Sequence, residues 1–162
     1  MAVCLVNLRP VAFVTAVFTV VCFVLSGLTV FAQPDVSASC AALMVAETGE
    51  LIYGKNEHDR RSMASTTKIM TSLLAIEALT PQRKITVSAD MLNVEGTSMG
   101  LLPGDTVTLE GLVYGMLLQS GNDAANVTAI TLGGNVENFV SMMNKRAGEI
   151  GMNDTHFETP SG

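Results

Sequence analysis

The chain has 162 residues, enough for one domain or one domain behind a leader. Its net charge of −6 and pI near 4.7 exclude a basic nucleic-acid-binding footprint, and 48% apolar residues exclude intrinsic disorder. Trp is absent, aromatics are sparse and only two His are present, which argues against an aromatic carbohydrate platform and a His-rich metal site.

Residues 1–32 read as a secretory leader. No charge occurs between Arg9 and Asp35, and Arg9 supplies a positive n-region. Thr15, Thr19, Ser26, Gly27 and Thr29 interrupt an otherwise apolar run, and all are cheap in a membrane. Val30 and Ala32 place small residues at −3 and −1 of a cut before Gln33. The run is also long enough to span a bilayer, so an uncleaved membrane anchor is the alternative to a cleaved signal peptide. Either reading exports the rest of the chain to the cell envelope or beyond. Residues 33–37 are predicted to be a linker and residues 38–162 a domain. Cys40 is expected to be a small buried residue on a strand, because neither a second Cys nor a catalytic partner accompanies it after the leader.

Residues 41–46 and 51–54 are strand-like runs around Glu47-Thr48-Gly49-Glu50, which predicts a β-hairpin. Residues 55–61 (KNEHDRR) form a charged loop, with His58 solvated. Residues 65–79 predict a helix apolar nearly all round, hence buried, ended by Thr80-Pro81. Residues 85–87 predict a short strand, residues 96–104 a loop, and Pro103-Gly104-Asp105 a turn. A second apolar helix is expected over 109–119 with Thr108 as N-cap. Residues 120–123 interrupt it at a break flanked by apolar sequence, and helix resumes over 124–132 before Gly133-Gly134. Asn135 caps a last helix through Ile150 with Gly151 as its stop, and Phe139, Met142, Met143 and Ala147 on one side. The pattern is α+β.

Two constellations carry chemistry. Ser65-Thr66-Thr67-Lys68 opens the first helix, and residues i and i+3 share a helix face. A Ser hydroxyl is a weak nucleophile without a base, and a Lys becomes a base near neutral pH when burial destabilises its ammonium form. The pair therefore has a route to acyl transfer without His. A bare S-x-x-K is common, and alone it describes a capped helix with a surface Lys. Ser120-Gly121-Asn122 is by composition a turn. Set in a buried break, its Ser and Asn need partners. A hydroxyl there can relay protons, and an amide can both donate to and accept from a peptide bond.

Met63 to Met70 (MASTTKIM) and Leu118 to Ala125 (LQSGNDAA) resemble the active-site segments of the serine-type D-Ala-D-Ala carboxypeptidases, the low-molecular-weight penicillin-binding proteins of peptidase family S11. The stretches ALMVAETGELIYGKN, GLLPGD and FVSMMNKRAGEIGMNDTHF are also similar to that family, so the resemblance spans residues 37–162. It implies a β-lactamase/transpeptidase-like fold, an antiparallel sheet with a helical subdomain. Ser65 would be the acyl-forming nucleophile, Lys68 its base, Ser120 a proton shuttle and Asn122 a holder of the substrate amide. The backbone N–H of Ser65 would be half of an oxyanion hole. The substrate would be a peptidoglycan stem peptide ending in D-Ala-D-Ala, with β-lactams acylating the same Ser. No cofactor, metal or nucleic acid is expected.

Met63 stands where the family often has Pro. No Lys-Thr-Gly, the family's third motif, occurs in the chain. Residues 38–162 therefore read as the N-terminal part of such a domain, inactive as given, with an exposed sheet edge. A class A β-lactamase is the nearest enzymatic alternative. Glu149 to Asn153 loosely imitates its E-x-x-L-N loop, although Gly151-Met152 fits a helix stop followed by an apolar contact. A non-catalytic envelope binding protein is the alternative from another class.

Overall fold

The computed structural model describes residues 34–162. The predicted leader, residues 1–32, lies outside the described residues. The chain divides into a unit ending at Glu57 and a second unit from His58 to Gly162.

In the first unit, β1 (Ala41–Met44) and β2 (Leu51–Lys55) form the predicted antiparallel hairpin, with Ala41 opposite Lys55 and a bulge between Leu43 and Met44. The connection closes through Val45 N–H to the Glu50 carbonyl (2.9 Å) and Gly49 N–H to the Val45 carbonyl (2.8 Å). Gly49 takes φ +73°, a left-handed conformation that glycine adopts without a Cβ penalty. Ahead of the hairpin, the Pro34 carbonyl accepts from Tyr53 Oη (3.2 Å) and the Val36 carbonyl from Lys55 Nζ (2.6 Å). Cys40 departs from expectation. It is half-buried and precedes β1 rather than lying buried on a strand.

In the second unit, a 3-10 turn (Ala64–Thr67) runs into α1 (Lys68–Glu77). Then follow β3 (Lys84–Thr86), a 3-10 turn (Ala89–Leu92), β4 (Thr106–Thr108), α2 (Leu109–Gln119), α3 (Asn122–Gly133) and α4 (Val136–Glu149). β3 and β4 pair antiparallel, Ile85 opposite Val107. Among the described residues, the antiparallel component is two two-stranded ladders. β4 was not legible in sequence, since three residues are too few to show a period. It exists because β3 offers it a partner.

The helix ends follow local chemistry. Thr108 Oγ1 accepts from Gly111 N–H (3.0 Å), and Asn135 Oδ1 accepts from Asn138 N–H (2.7 Å). Gly134 at φ +78° stops α3, and Gly151 at φ +82° follows α4, with Met152 N–H returning to the Ala147 carbonyl (2.9 Å). Met152 packs against the neighbouring core, so the helix-stop reading of Gly151-Met152 holds.

Two apolar cores build the unit. One joins Ala75, Ile85, Val87, Leu109, Leu112, Met116, Ala124, Ala125 and Val127. The other joins Met70, Ala129, Phe139, Met143, Ala147 and Phe157. Both α1 and α3 contribute to each core, which fixes these two helices against one another. Of the residues grouped on one side of α4, Phe139, Met143 and Ala147 are buried, whereas Met142 is partly exposed.

α1 is not buried all round. Its buried arc is Lys68, Met70, Thr71, Ser72 and Ala75, whereas Ile69, Ile76 and the following Leu79 are exposed. The hydropathy pattern misleads because three polar side chains occupy the inner face. Among the described residues, no helix is long and apolar enough to cross a membrane.

Candidate active site

Ser65 lies in the 3-10 turn rather than in the α-helix. In a 3-10 turn side chains i and i+3 eclipse, so Ser65 and Lys68 stand in line more directly than in an α-helix. Lys68 Nζ donates to Ser65 Oγ at 3.1 Å. Ser65 is exposed while Lys68 is 1% exposed, one of the most buried large side chains of the described residues. Burial pushes the Lys68 pKa below its ordinary value, because the ammonium form is the one that loses solvation.

The Met63 carbonyl accepts from Thr66 N–H (3.2 Å) and Thr66 Oγ1 (2.6 Å). The turn uses the backbone oxygen of this residue, a group that Met and Pro share.

The break between α2 and α3 brings the second constellation to the same lysine. Lys68 Nζ also approaches Ser120 Oγ at 3.4 Å. Ser120 caps α2 in a left-handed conformation, φ +56°, a costly one for a residue with a Cβ. Gly121 is buried, and its N–H reaches the Gly115 carbonyl (3.1 Å). The predicted burial of the break is therefore observed, with Ser120 and Asn122 half-buried at its rim. Asn122 is already helical, the first residue of α3, where sequence reading began the helix two residues later. Asn122 Nδ2 donates to the Glu95 carbonyl (2.6 Å), which leaves Oδ1 as the acceptor on that side chain.

A third partner of Lys68 was not found in sequence. The Ser161 carbonyl accepts from Nζ at 3.1 Å. Ser65, Ser120 and Ser161 thus match the three donors of a lysine ammonium. Segment 157–162 is delivered there by two anchors. Asn144 makes paired bonds with the Phe157 backbone, both 2.8 Å, and Thr71 Oγ1 donates to the Pro160 carbonyl at 2.6 Å. No local pattern marks a backbone carbonyl as a partner for a distant lysine.

Of the four predicted residues, Ser65, Lys68 and Ser120 meet directly, and Asn122 lies two residues beyond Ser120. A cavity of about 510 Å³ between residues 60–64 and 154–159 includes none of them. Glu149, the candidate for a lactamase-type hydrolytic loop, ends α4 and pairs with Lys145 (3.8 Å) and Arg146 (3.4 Å). Arg146 also grips Glu77 at 2.6 Å, so this carboxylate belongs to a surface ion network.

Comparison with known proteins shows the family. The family described as D-alanyl-D-alanine carboxypeptidase, peptidase S11, matches residues 28–162. The chain belongs to this family. The D-alanyl-D-alanine carboxypeptidase DacF of Bacillus subtilis (strain 168) is 38% identical over 130 residues, covering 77% of this chain and 33% of the relative. The crystal structure of the D-alanyl-D-alanine carboxypeptidase DacD from Francisella tularensis superposes with a TM-score of 0.76 at 37% identity, over 81% of this chain and 33% of that one. Penicillin binding protein 6B from Escherichia coli gives 0.76 at 34% identity, over 83% of this chain and 46% of that one. The fold is therefore that of the β-lactamase-like penicillin-binding proteins, of whose length the chain spans between a third and a half.

Proposed function

We propose that these residues carry the acylation chemistry of a serine-type D-Ala-D-Ala carboxypeptidase acting on peptidoglycan stem peptides. Ser65 is the nucleophile and Lys68 the base. Lys68 in its neutral form takes the Ser65 proton as Oγ attacks the carbonyl of the penultimate D-alanine. The bond to the terminal D-alanine breaks, and its nitrogen leaves with a proton passed from Lys68 through Ser120. Water then hydrolyses the ester on Ser65. Asn122 Oδ1 accepts from the substrate amide, and the Ser65 backbone N–H donates to the developing oxyanion. One observation carries this reading: a buried Lys68 amine lies within 3.4 Å of both serine hydroxyls. The lowered Lys68 pKa supports the base role. Residues 1–32 would place the domain outside the cytoplasm, as signal peptide or anchor, where its substrate lies.

The family's Lys-Thr-Gly binds the substrate carboxylate and is followed by the second oxyanion donor, and no such triplet occurs among the 162 residues. The 162-residue chain by itself is therefore expected to form no stable adduct with benzylpenicillin by mass spectrometry. The same residues in a chain extended through a Lys-Thr-Gly strand are expected to take one acyl group on Ser65. Ser65→Ala then abolishes it, and an undiminished label in that variant overturns the assignment.

A further inference from the structure

Asp123 follows the Ser-Gly-Asn triplet directly and has no part in the chemistry above, yet it is 4% exposed. Its carboxylate accepts five hydrogen bonds. Oδ2 takes Ser98 Oγ (2.6 Å), Gly100 N–H (3.1 Å) and Leu101 N–H (3.1 Å). Oδ1 takes Met99 N–H (2.9 Å) and Ala124 N–H (2.9 Å). Four of the five come from residues 98–101, so one side chain gathers a whole turn of the loop between β3 and β4.

The same loop then reaches back to the proposed site. Thr97 Oγ1 donates to the Ser120 carbonyl at 2.5 Å, and the Thr97 carbonyl accepts from Asn122 N–H at 2.7 Å. The Glu95 carbonyl takes the Asn122 side-chain amide. Two glycines let the surfaces approach. A Cβ at Gly96 would sit 2.6 Å from Asn122 Nδ2, and one at Gly121 would sit 2.8 Å from Asp123 Oδ1 and 3.1 Å from Met99 N. Neither Ser120, held in a left-handed conformation, nor the half-buried Asn122 is fixed by α2 and α3 alone.

We propose that Asp123 is a positioning residue. It holds residues 98–101 on its carboxylate, and through Thr97 and Glu95 that loop sets the Ser120 backbone and the Asn122 amide. Burial alone would push the Asp123 pKa up. The hydrogen bonds from Ser98, Met99, Leu101 and Ala124 outweigh it and hold the pKa below the ordinary value, so the carboxylate remains an acceptor of all five. The consequence for acylation rests on the roles proposed for Ser120 and Asn122, but the positioning itself does not.

The test uses the ¹⁵N-labelled 162-residue chain and its variants Asp123→Asn, Ser98→Ala and Thr128→Val. The amide of Asp123→Asn offers a donor where two N–H groups need an acceptor. Amide exchange at Met99, Gly100 and Leu101 is expected to speed up about 10-fold or more, since bonds to a charged group are lost. The Ser120 and Asn122 amide signals shift with it. Ser98→Ala removes one bond of five and gives the same pattern in weaker form, which keeps the test decisive if Asp123→Asn does not fold. Thr128→Val is the control: Thr128 is buried in α3, and its hydroxyl bonds only the Ala124 carbonyl (2.8 Å). It lowers the melting temperature but leaves the Ser120 and Asn122 signals in place. Unchanged Ser120 and Asn122 signals in both Asp123→Asn and Ser98→Ala overturn the proposal. So does an equal shift in the Thr128→Val control, which would make the effect one of general stability. None of these readouts depends on acylation, so a failure of the Ser65 assignment would be seen separately.

Discussion

Thr71→Val tests how segment 157–162 is held against Lys68. Thr71 is fully buried, and its hydroxyl donates to the carbonyl of buried Pro160 at 2.6 Å. Val keeps the shape of Thr and deletes only the donor. The Pro160 carbonyl then stays buried without this donor, which costs about 1–3 kcal/mol. In a domain of this size, that is a fall in Tm of roughly 3–5 °C for each kcal/mol. The effect should reach the lysine. Pro160 precedes Ser161, whose carbonyl accepts from Lys68 Nζ, so releasing Pro160 loosens an acceptor that favours the ammonium. The Lys68 pKa, already lowered by burial, is expected to fall further. The assay is denaturant unfolding of wild type, Thr71→Val and Thr71→Ser, at constant slope against denaturant. Ser keeps the hydroxyl and loses the methyl, so it reports packing alone. A Val variant within about 0.5 kcal/mol of wild type, with Ser clearly weaker, would mean that the methyl rather than the hydroxyl matters, and the anchoring argument would fail.

Three further outcomes follow from the same structure. Because the folded-state pKa of Lys68 lies below the ordinary value of 10.5, the unfolded chain binds more protons between those two values. Stability of the wild type relative to Lys68→Met is therefore expected to rise with pH across that window, and denaturant melts from pH 7 to 10 showing a falling difference would contradict the burial argument. Gly133→Ala puts a Cβ 2.7 Å from Phe139 N and 2.9 Å from its Cα, both backbone atoms that cannot swing aside. A loss of about 1–3 kcal/mol is expected, read as a lowered melting temperature. Thr108→Ala removes the side-chain cap on Gly111 N–H and should cost about 1 kcal/mol, whereas Thr108→Ser should recover most of it in the same melts.

Much of the fold was written locally. Thr108 and Asn135 cap α2 and α4 through N–H groups three residues ahead, Gly134 and Gly151 stop α3 and α4, and Gly49 turns the hairpin. Each depends on atoms within a few residues along the chain, where residue type alone decides the geometry. The pairing of Ser65 with Lys68 is of the same kind, three residues apart on one turn.

What spans greater distances was decided only by packing. Ser161 meets Lys68 across 93 residues, and Asp123 reaches back 22 to 25 residues to gather its loop. Neither contact has a sequence period, since the partners, Ser98 Oγ aside, are backbone groups that residue type does not mark. The outer face of α1 was misread for a related reason. A helix read as buried nearly all round should also bury Ile69 and Ile76, yet the structure exposes both and turns Lys68, Thr71 and Ser72 inward. Lys68 and Thr71 tolerate burial because tertiary contacts supply their partners, Ser65, Ser120, Ser161 and Pro160. The sequence alone singled out Ser65, Lys68, Ser120 and Asn122 as chemically capable and placed the helix ends to within about three residues. The tertiary structure decided that a buried amine would find two hydroxyls, because only packing α1 against α3 brings residues 52 positions apart within reach.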